Sequence, residues 1–143
     1  MMGKSLFLTG DPGTGKSYVT VALIKMFQVT GKSVLILAPT GIAAVHVGGT
    51  TIHRGLGIKR EGELIKEDKR GLTIRAKKCP LMDSADVIFI DEISMVRRDM
   101  FEFVVKCIRS SEKRTGKRLQ VILVGDFLQL PPVLKKESMK LFL

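Results

Sequence analysis

The stretch "GDPGTGKS" (10–17) is the first place where residue types and spacing could do chemistry. It fits G-x-x-x-x-G-K-[ST], and it follows an apolar run and opens a helical pattern, as a phosphate-cradling loop must. Gly10, Gly13 and Gly15 would let the backbone wrap closely around phosphates, with Asp11, Pro12 and Thr14 completing the loop. Loop amides and the start of the following helix would face the negative charge. Lys16 would reach the outer phosphates of a nucleotide, and the Ser17 hydroxyl would ligate Mg²⁺.

A second constellation is "VIFIDE" (87–92), four apolar residues followed by two acids. In open α/β sheets the carboxyl ends of strands carry the ligands. Asp91 would hold Mg²⁺ through water there, and Glu92 would orient or deprotonate an attacking water. The pair also reads as a cap on the next helix, because acids favour helix N-termini. The phosphate loop upstream favours the metal reading.

Two further stretches follow apolar runs. "APTGIAAVHVGGTTIH" (38–53) places Thr40 as the N-cap of a helix and Gly48 and Gly49 where a backbone could approach closely. Thr50, Thr51 and His53 offer donors to phosphates or a ring to a base. The plainer readings are that Thr40 only caps and His53 only packs. "VGDFLQLPPVL" (124–134) puts Asp126 and Gln129 ahead of Pro131 and Pro132. Gln129 can donate and accept hydrogen bonds without adding charge. The prolines stiffen the exit and exclude helix. Taken alone, this stretch also fits an ordinary polar turn.

The elements that must position these residues are legible as well. "LFLT" (6–9), "SVLILA" (33–38), "VIFI" (87–90) and "VILV" (121–124) are short runs, apolar on both faces, as in a parallel sheet covered on both sides. Helical patterns separate them, most clearly "KSYVTVALIKMFQ" (16–28), with Gly31 as its stop signal, and "RRDMFEFVVKCIRSSEK" (97–113). Strand-helix alternation predicts right-handed crossovers and an open α/β sheet. The stretch 54–80 is polar, basic and weakly patterned, which predicts a surface excursion with some helix.

Composition narrows the class. The chain has 143 residues, 45% of them hydrophobic, which suits one folded domain. No apolar run is long enough for a membrane span, and the opening "MMGKSLFLTG" reads as a buried strand rather than a signal peptide. Cys79 and Cys107 lie far apart and outside metal spacing, as expected of buried or idle thiols in a reducing compartment, cytoplasmic or, in a eukaryote, nuclear or mitochondrial. The formal net charge is +10. Residues 54–78 carry nine Lys/Arg against four Asp/Glu, and 106–118 carry six against one. Such excess suits a polyanionic partner, although lysines on solvated helix faces are common.

Taken in order, "GDPGTGKS", "APTGIAAVHVGGTTIH", "DEISMV" (91–96) and "VGDFLQLPPV" resemble the motifs of superfamily-one DNA helicases of the Pif (petite integration frequency) type, relatives of RecD. The phosphate loop is shared by many NTPases; the other three motifs together are specific. The resemblance implies a three-layer P-loop NTPase domain of RecA-like α/β fold. It also implies ATP and Mg²⁺ as cofactors, single-stranded DNA as partner, and movement 5′ to 3′ in DNA repair, recombination and telomere maintenance. In this frame Gln129 senses the γ-phosphate and Asp126 supports the metal site or its waters. Thr40, Thr51 and His53 would line the DNA track, flanked by the basic excursion.

Helicases of this type have two RecA-like motor domains with ATP between them. Residues 1–143 correspond to the first, so the second is expected as a partner outside this chain. An arginine donated across such a cleft is worth about 10³ to 10⁵ in turnover in related NTPases. The isolated chain is therefore expected to bind nucleotide and hydrolyse it poorly. One alternative is a nucleotide-gated module that binds single strands without unwinding. A weaker one is a clamp-loader-like or transposition-type ATPase, which Pro12 fits and the "TIH" and "QLPP" segments do not.

Overall fold

The computed structural model describes residues 5–10, 15–59, 65–68, 71–74, 76–126 and 136. Asp11, Pro12, Gly13, Thr14 and Gln129 lie outside the described residues, as do Pro131 and Pro132.

The apolar runs form a five-stranded parallel sheet in the order β1-β7-β6-β2-β3. Its strands are β1 (Leu6–Leu8), β2 (Val34–Ala38), β3 (Thr50–Thr51), β6 (Val87–Ile90) and β7 (Gln120–Val124). The register pairs Leu8 with Val124, Ile90 with Leu123 and Leu37 with Ile90. The strand ends, and therefore the loops that leave them, are thus brought level along one edge.

Alternation within the strands divides the core in two. Val87 and Phe89 of β6, with Ile36, Ile122 and Val124, pack against Ile24 and Phe27 of helix α1 (Lys16–Val29) and Val47 of α2 (Gly41–Val47). The Phe27 and Phe89 rings meet edge to face at 6.0 Å, a favoured aromatic geometry. Ile88 and Ile90, with Leu35, Leu37, Val121 and Leu123, face Phe101, Phe103, Val104 and Ile108 of α5 (Arg98–Thr115) and Met82 of α4 (Pro80–Asp83). Apolar residues on both faces of every central strand are what two helical layers require.

The helix ends agree with local chemistry. α1 stops at Val29, and Gly31 follows with φ +82°. α5 ends at Gly116, φ +71°, whose amide bonds Glu112 O at 2.9 Å, a left-handed stop that glycine adopts without strain. Thr40 and Thr51 cap α2 and α3 (Ile52–Gly55), their hydroxyls accepting from Ala43 N and Arg54 N, each at 3.2 Å.

The stretch 54–80 departs from expectation. Apart from the ends of α3 and α4, its regular structure among the described residues is an antiparallel hairpin of β4 (Ile65–Asp68) and β5 (Gly71–Ile74). The hairpin lies off the main sheet and is fastened to α5, where Lys106 Nζ donates to Ile74 O at 2.8 Å. Its sequence is charged and has no uninterrupted apolar run, so strand was not legible there from sequence.

Candidate functional site

The chain leaves β1, β2, β6 and β7 at the carboxyl edge of the sheet, where the parallel register sets the strand ends side by side. Gly15, with φ +84°, ends the phosphate-loop sequence and opens α1. Lys16 is the first residue of that helix and is half-buried; Ser17 beside it is exposed. Thr20 fastens the turn from below, its hydroxyl donating to Lys16 O at 2.7 Å.

Asp91 continues β6, its amide bonded to Leu37 O at 2.9 Å, so its backbone is fixed by the neighbouring strand. Burial lifts its carboxyl above the usual carboxylate range. A hydrogen bond from the Glu92 backbone works against that, the Glu92 charge adds to it, and Lys16 and His46 pull it down. The parallel register of β1, β7 and β6 brings the phosphate-loop lysine, at the start of the helix after β1, and the strand-end acid after β6 to the same edge, where the Lys16 charge favours the ionised carboxylate. His46, on the last turn of α2, was not among the residues singled out from sequence. Its only signal was the cap at Thr40, which sets the phase of α2.

Glu92 is the one described non-glycine residue with positive φ, at φ 49° and ψ 47°. A left-handed conformation costs a side-chain-bearing residue about 1–2 kcal/mol. The bend turns the chain from the strand into a 3₁₀ turn, Ile93–Met95, with Met95 N bonded to Glu92 O at 2.9 Å, and leaves Glu92 exposed at the edge. Strain of this kind concentrates where a side chain is aimed for function.

Gly125 brings the loop after β7 into the same place. Its amide bonds Leu8 O at 3.1 Å, and a Cβ built on it would lie 2.7 Å from Ile93 Cγ2. Asp126, half-buried, follows directly on this contact.

Farther along the edge, Gly49 crosses β2 so tightly that a Cβ would lie 2.6 Å from Ile36 O. Thr51 and His53 follow, both half-buried. His53 forms one wall of a cavity of about 140 Å³, together with Pro39, Ile52, Met95, Arg97 and Met100. Arg97 Nη2 pairs with Asp99 Oδ2 at 3.3 Å at its rim. Sequence reading located His53 but not the cavity, because its other walls come from the turn after β6 and the start of α5.

A residue set that carries Mg²⁺ needs hard oxygen donors at an incompletely neutralised site. Asp91 fits, being a carboxylate whose ionised form burial disfavours until a cation offsets it. Ser17, with its exposed hydroxyl, fits as the second protein ligand.

A parallel sheet with a phosphate-loop helix after its first strand and an Asp-Glu pair ending another defines a three-layer P-loop NTPase of RecA-like order. The chain belongs to the PIF1-like helicase family, whose model matches residues 1–142. It is 40% identical over 138 residues to the human ATP-dependent DNA helicase PIF1, covering 94% of this chain and 21% of that protein. A solved structure addressing DNA unwinding at forked double-stranded DNA by two coordinating Pif1 helicases superposes with a TM-score of 0.65. It is 32% identical, and the match covers 96% of this chain and 33% of that one. The Bacteroides Pif1 helicase in complex with ADP-AlF3 and single-stranded DNA also gives 0.65, at 30% identity over 96% of this chain and 32% of that one. The chain thus spans about a fifth of the length of the human relative. Among the described residues no helix is long and apolar enough to cross a membrane.

Proposed function

We propose that this chain is the first motor domain of an ATP-dependent DNA helicase, binding ATP with Mg²⁺ and single-stranded DNA along the carboxyl edge of its sheet. The observation that carries the reading is the placement of Lys16 after β1 and Asp91 after β6 at the same edge of the parallel sheet, with Glu92 in a strained bend next to Asp91. Lys16 neutralises phosphate charge. Ser17 and Asp91 hold the Mg²⁺, which supplies charge neutralisation at the phosphates when bound. Glu92 orients or deprotonates the attacking water, as an exposed carboxylate at the edge can. The phosphate loop from Gly10 through Asp11, Pro12, Gly13, Thr14 and Gly15 cradles the nucleotide, with Gln129 reporting on its γ-phosphate and Asp126 supporting the metal site or its waters. Thr40, Thr51 and His53 line the DNA track, the cavity at His53 offering an apolar wall to a base.

Several finer parts of the reading rest on the family resemblance. They are 5′ to 3′ movement, service in repair, recombination and telomere maintenance, and a second RecA-like domain that closes over the nucleotide. Without that domain the chain should bind nucleotide and turn it over slowly.

The test is steady-state ATP hydrolysis with and without oligo-dT, beside nucleotide binding on the same sample and Lys16→Ala as the blank. Binding that Lys16→Ala abolishes, with weak turnover, supports half a motor. Nucleotide affinity unchanged in Lys16→Ala would overturn the assignment of the site. Binding of oligo-dT gated by nucleotide with no hydrolysis even beside the second domain would favour the non-unwinding module.

A further inference from the structure

Cys79 and Cys107 lie far apart in sequence and together in the fold, away from the nucleotide edge. Cys79 is the residue before α4, and Cys107 is midway along α5. Both are buried, at 2% and 1% exposure. Both sulfurs meet the backbone of one residue: Lys77 N donates to Cys107 Sγ at 3.4 Å, and the Cys79 thiol reaches Lys77 O at 3.3 Å. Interaction between the two thiols holds Cys107 below the ordinary thiol range against its burial, helped by the Lys77 amide, and pushes Cys79 up.

Access is set by the segment that covers the pair. Residues 76–78, 80 and 81 are exposed, and Cys79 is the buried residue among them. The segment is tied by Lys77, whose Nζ donates to Gly57 O at 2.7 Å, and by the Cys79 thiol, 3.8 Å from Leu56 O. Local opening of so short a stretch would release those ties and uncover Cys107 on the face of α5. The other end of the connection is tied to the same helix through Lys106 and Ile74 O.

We propose that Cys79 and Cys107 form a reversible dithiol–disulfide site that reacts with small disulfides such as oxidised glutathione. The Cys107 thiolate attacks one sulfur of the small disulfide, expelling one thiolate and leaving a mixed disulfide on Cys107. Cys79, its proton passing to the expelled thiolate, then attacks Cys107 Sγ and expels the second. Two protein thiols are oxidised, and one small disulfide is reduced to two thiols. The bond fastens 76–79 to α5 and, with the Lys106 contact, clamps the base of the β4–β5 hairpin.

The experiment incubates the full chain with oxidised glutathione, then denatures it, alkylates free thiols and measures intact mass and linked peptides. The expected result is a loss of two hydrogens with no glutathione retained and no alkylation, and a cross-linked peptide pair containing residues 79 and 107. Dithiothreitol restores both thiols. Amide exchange at 76–79 slows by about tenfold or more in the oxidised chain, as closing off local opening requires. Cys79→Ala should retain a glutathione on Cys107, and Cys107→Ala should show no internal bond. Two alkylated thiols, a stable glutathione adduct on the unsubstituted chain, or covalent dimers in place of the internal bond would each overturn the proposal.

Discussion

Gly125 lies so close to Ile93 that a Cβ in its place would be 2.7 Å from Ile93 Cγ2 and 3.1 Å from Ile93 N. Gly125, where the chain leaves β7, is therefore packed against the backbone and side chain of the turn that follows Asp91 and Glu92. Gly125→Ala should force the two apart, at about 1–3 kcal/mol, the usual range for overpacking. Urea denaturation would show the midpoint falling, and nucleotide affinity should fall with it as Asp126 shifts from the Asp91 turn. An unchanged midpoint would mean the turn yields freely and does not fix the site.

Thr40 offers a way to separate a structural role from a binding one. Its hydroxyl caps α2 by accepting from Ala43 N at 3.2 Å. Thr40→Ala should cost about 1 kcal/mol of stability, typical of a lost cap. Thr40→Asp restores the cap, and the helix N-terminus favours its charge, but it places an anion on the proposed DNA track. Recovered thermal stability with weakened oligo-dT binding, measured by fluorescence anisotropy, is the expected pair. Full oligo-dT affinity in Thr40→Asp would remove Thr40 from the track and leave it a cap alone.

How much of this could be read from sequence depends on the range of the forces involved. "VIFI" and "VILV" showed as parallel strands because burial on both faces leaves an uninterrupted apolar run. Thr40 as a cap, Gly31 as a stop and Gly15 at the loop-to-helix junction followed from local backbone preference. The edge strand Thr50–Thr51 is too short to carry a period. The β4–β5 hairpin gains its place from α5, not from its own pattern. The meeting of Cys79 and Cys107 at Lys77, and the cavity walls that Met95 and Met100 give to His53, are products of tertiary packing. So is the left-handed bend at Glu92, since glutamate has no local reason to adopt it.

That bend makes Glu92 a test of strain against function. Glu92→Gly should stabilise the chain by about 1 kcal/mol, because glycine occupies φ 49° without the side-chain clash. Glu92→Gln keeps the backbone cost and removes only the charge. Both should bind nucleotide and lose hydrolysis in the presence of the second motor domain, by about 10² or more, the scale of a lost general base. Thermal melts and single-turnover hydrolysis on the three proteins would decide it. Glu92→Gly melting below the unsubstituted chain would show that its side chain supports the fold.

Asp91 carries the clearest pH signature. Its carboxyl titrates above the usual range, chiefly through burial. An unfolded aspartate titrates near about 3.9. As pH rises from there to the folded value, the unfolded chain releases the proton first, so folding stability declines across that window. Below the window the penalty is absent, and above the folded value it is complete. Asp91→Asn removes the titration, so it should melt roughly 2–4 °C higher at neutral pH, the shift typical of a modest stability change in a domain of this size. That advantage should vanish below about pH 4, where Asp91 is protonated in both states. Addition of Mg²⁺ and ATP should raise the melting temperature of the unsubstituted chain, because ligand binding stabilises the folded state, and leave Asp91→Asn nearly unmoved. Equal melting curves for the two proteins at every pH would show that burial does not penalise this carboxylate, and the case for Asp91 as a cation ligand would then lose its physical basis.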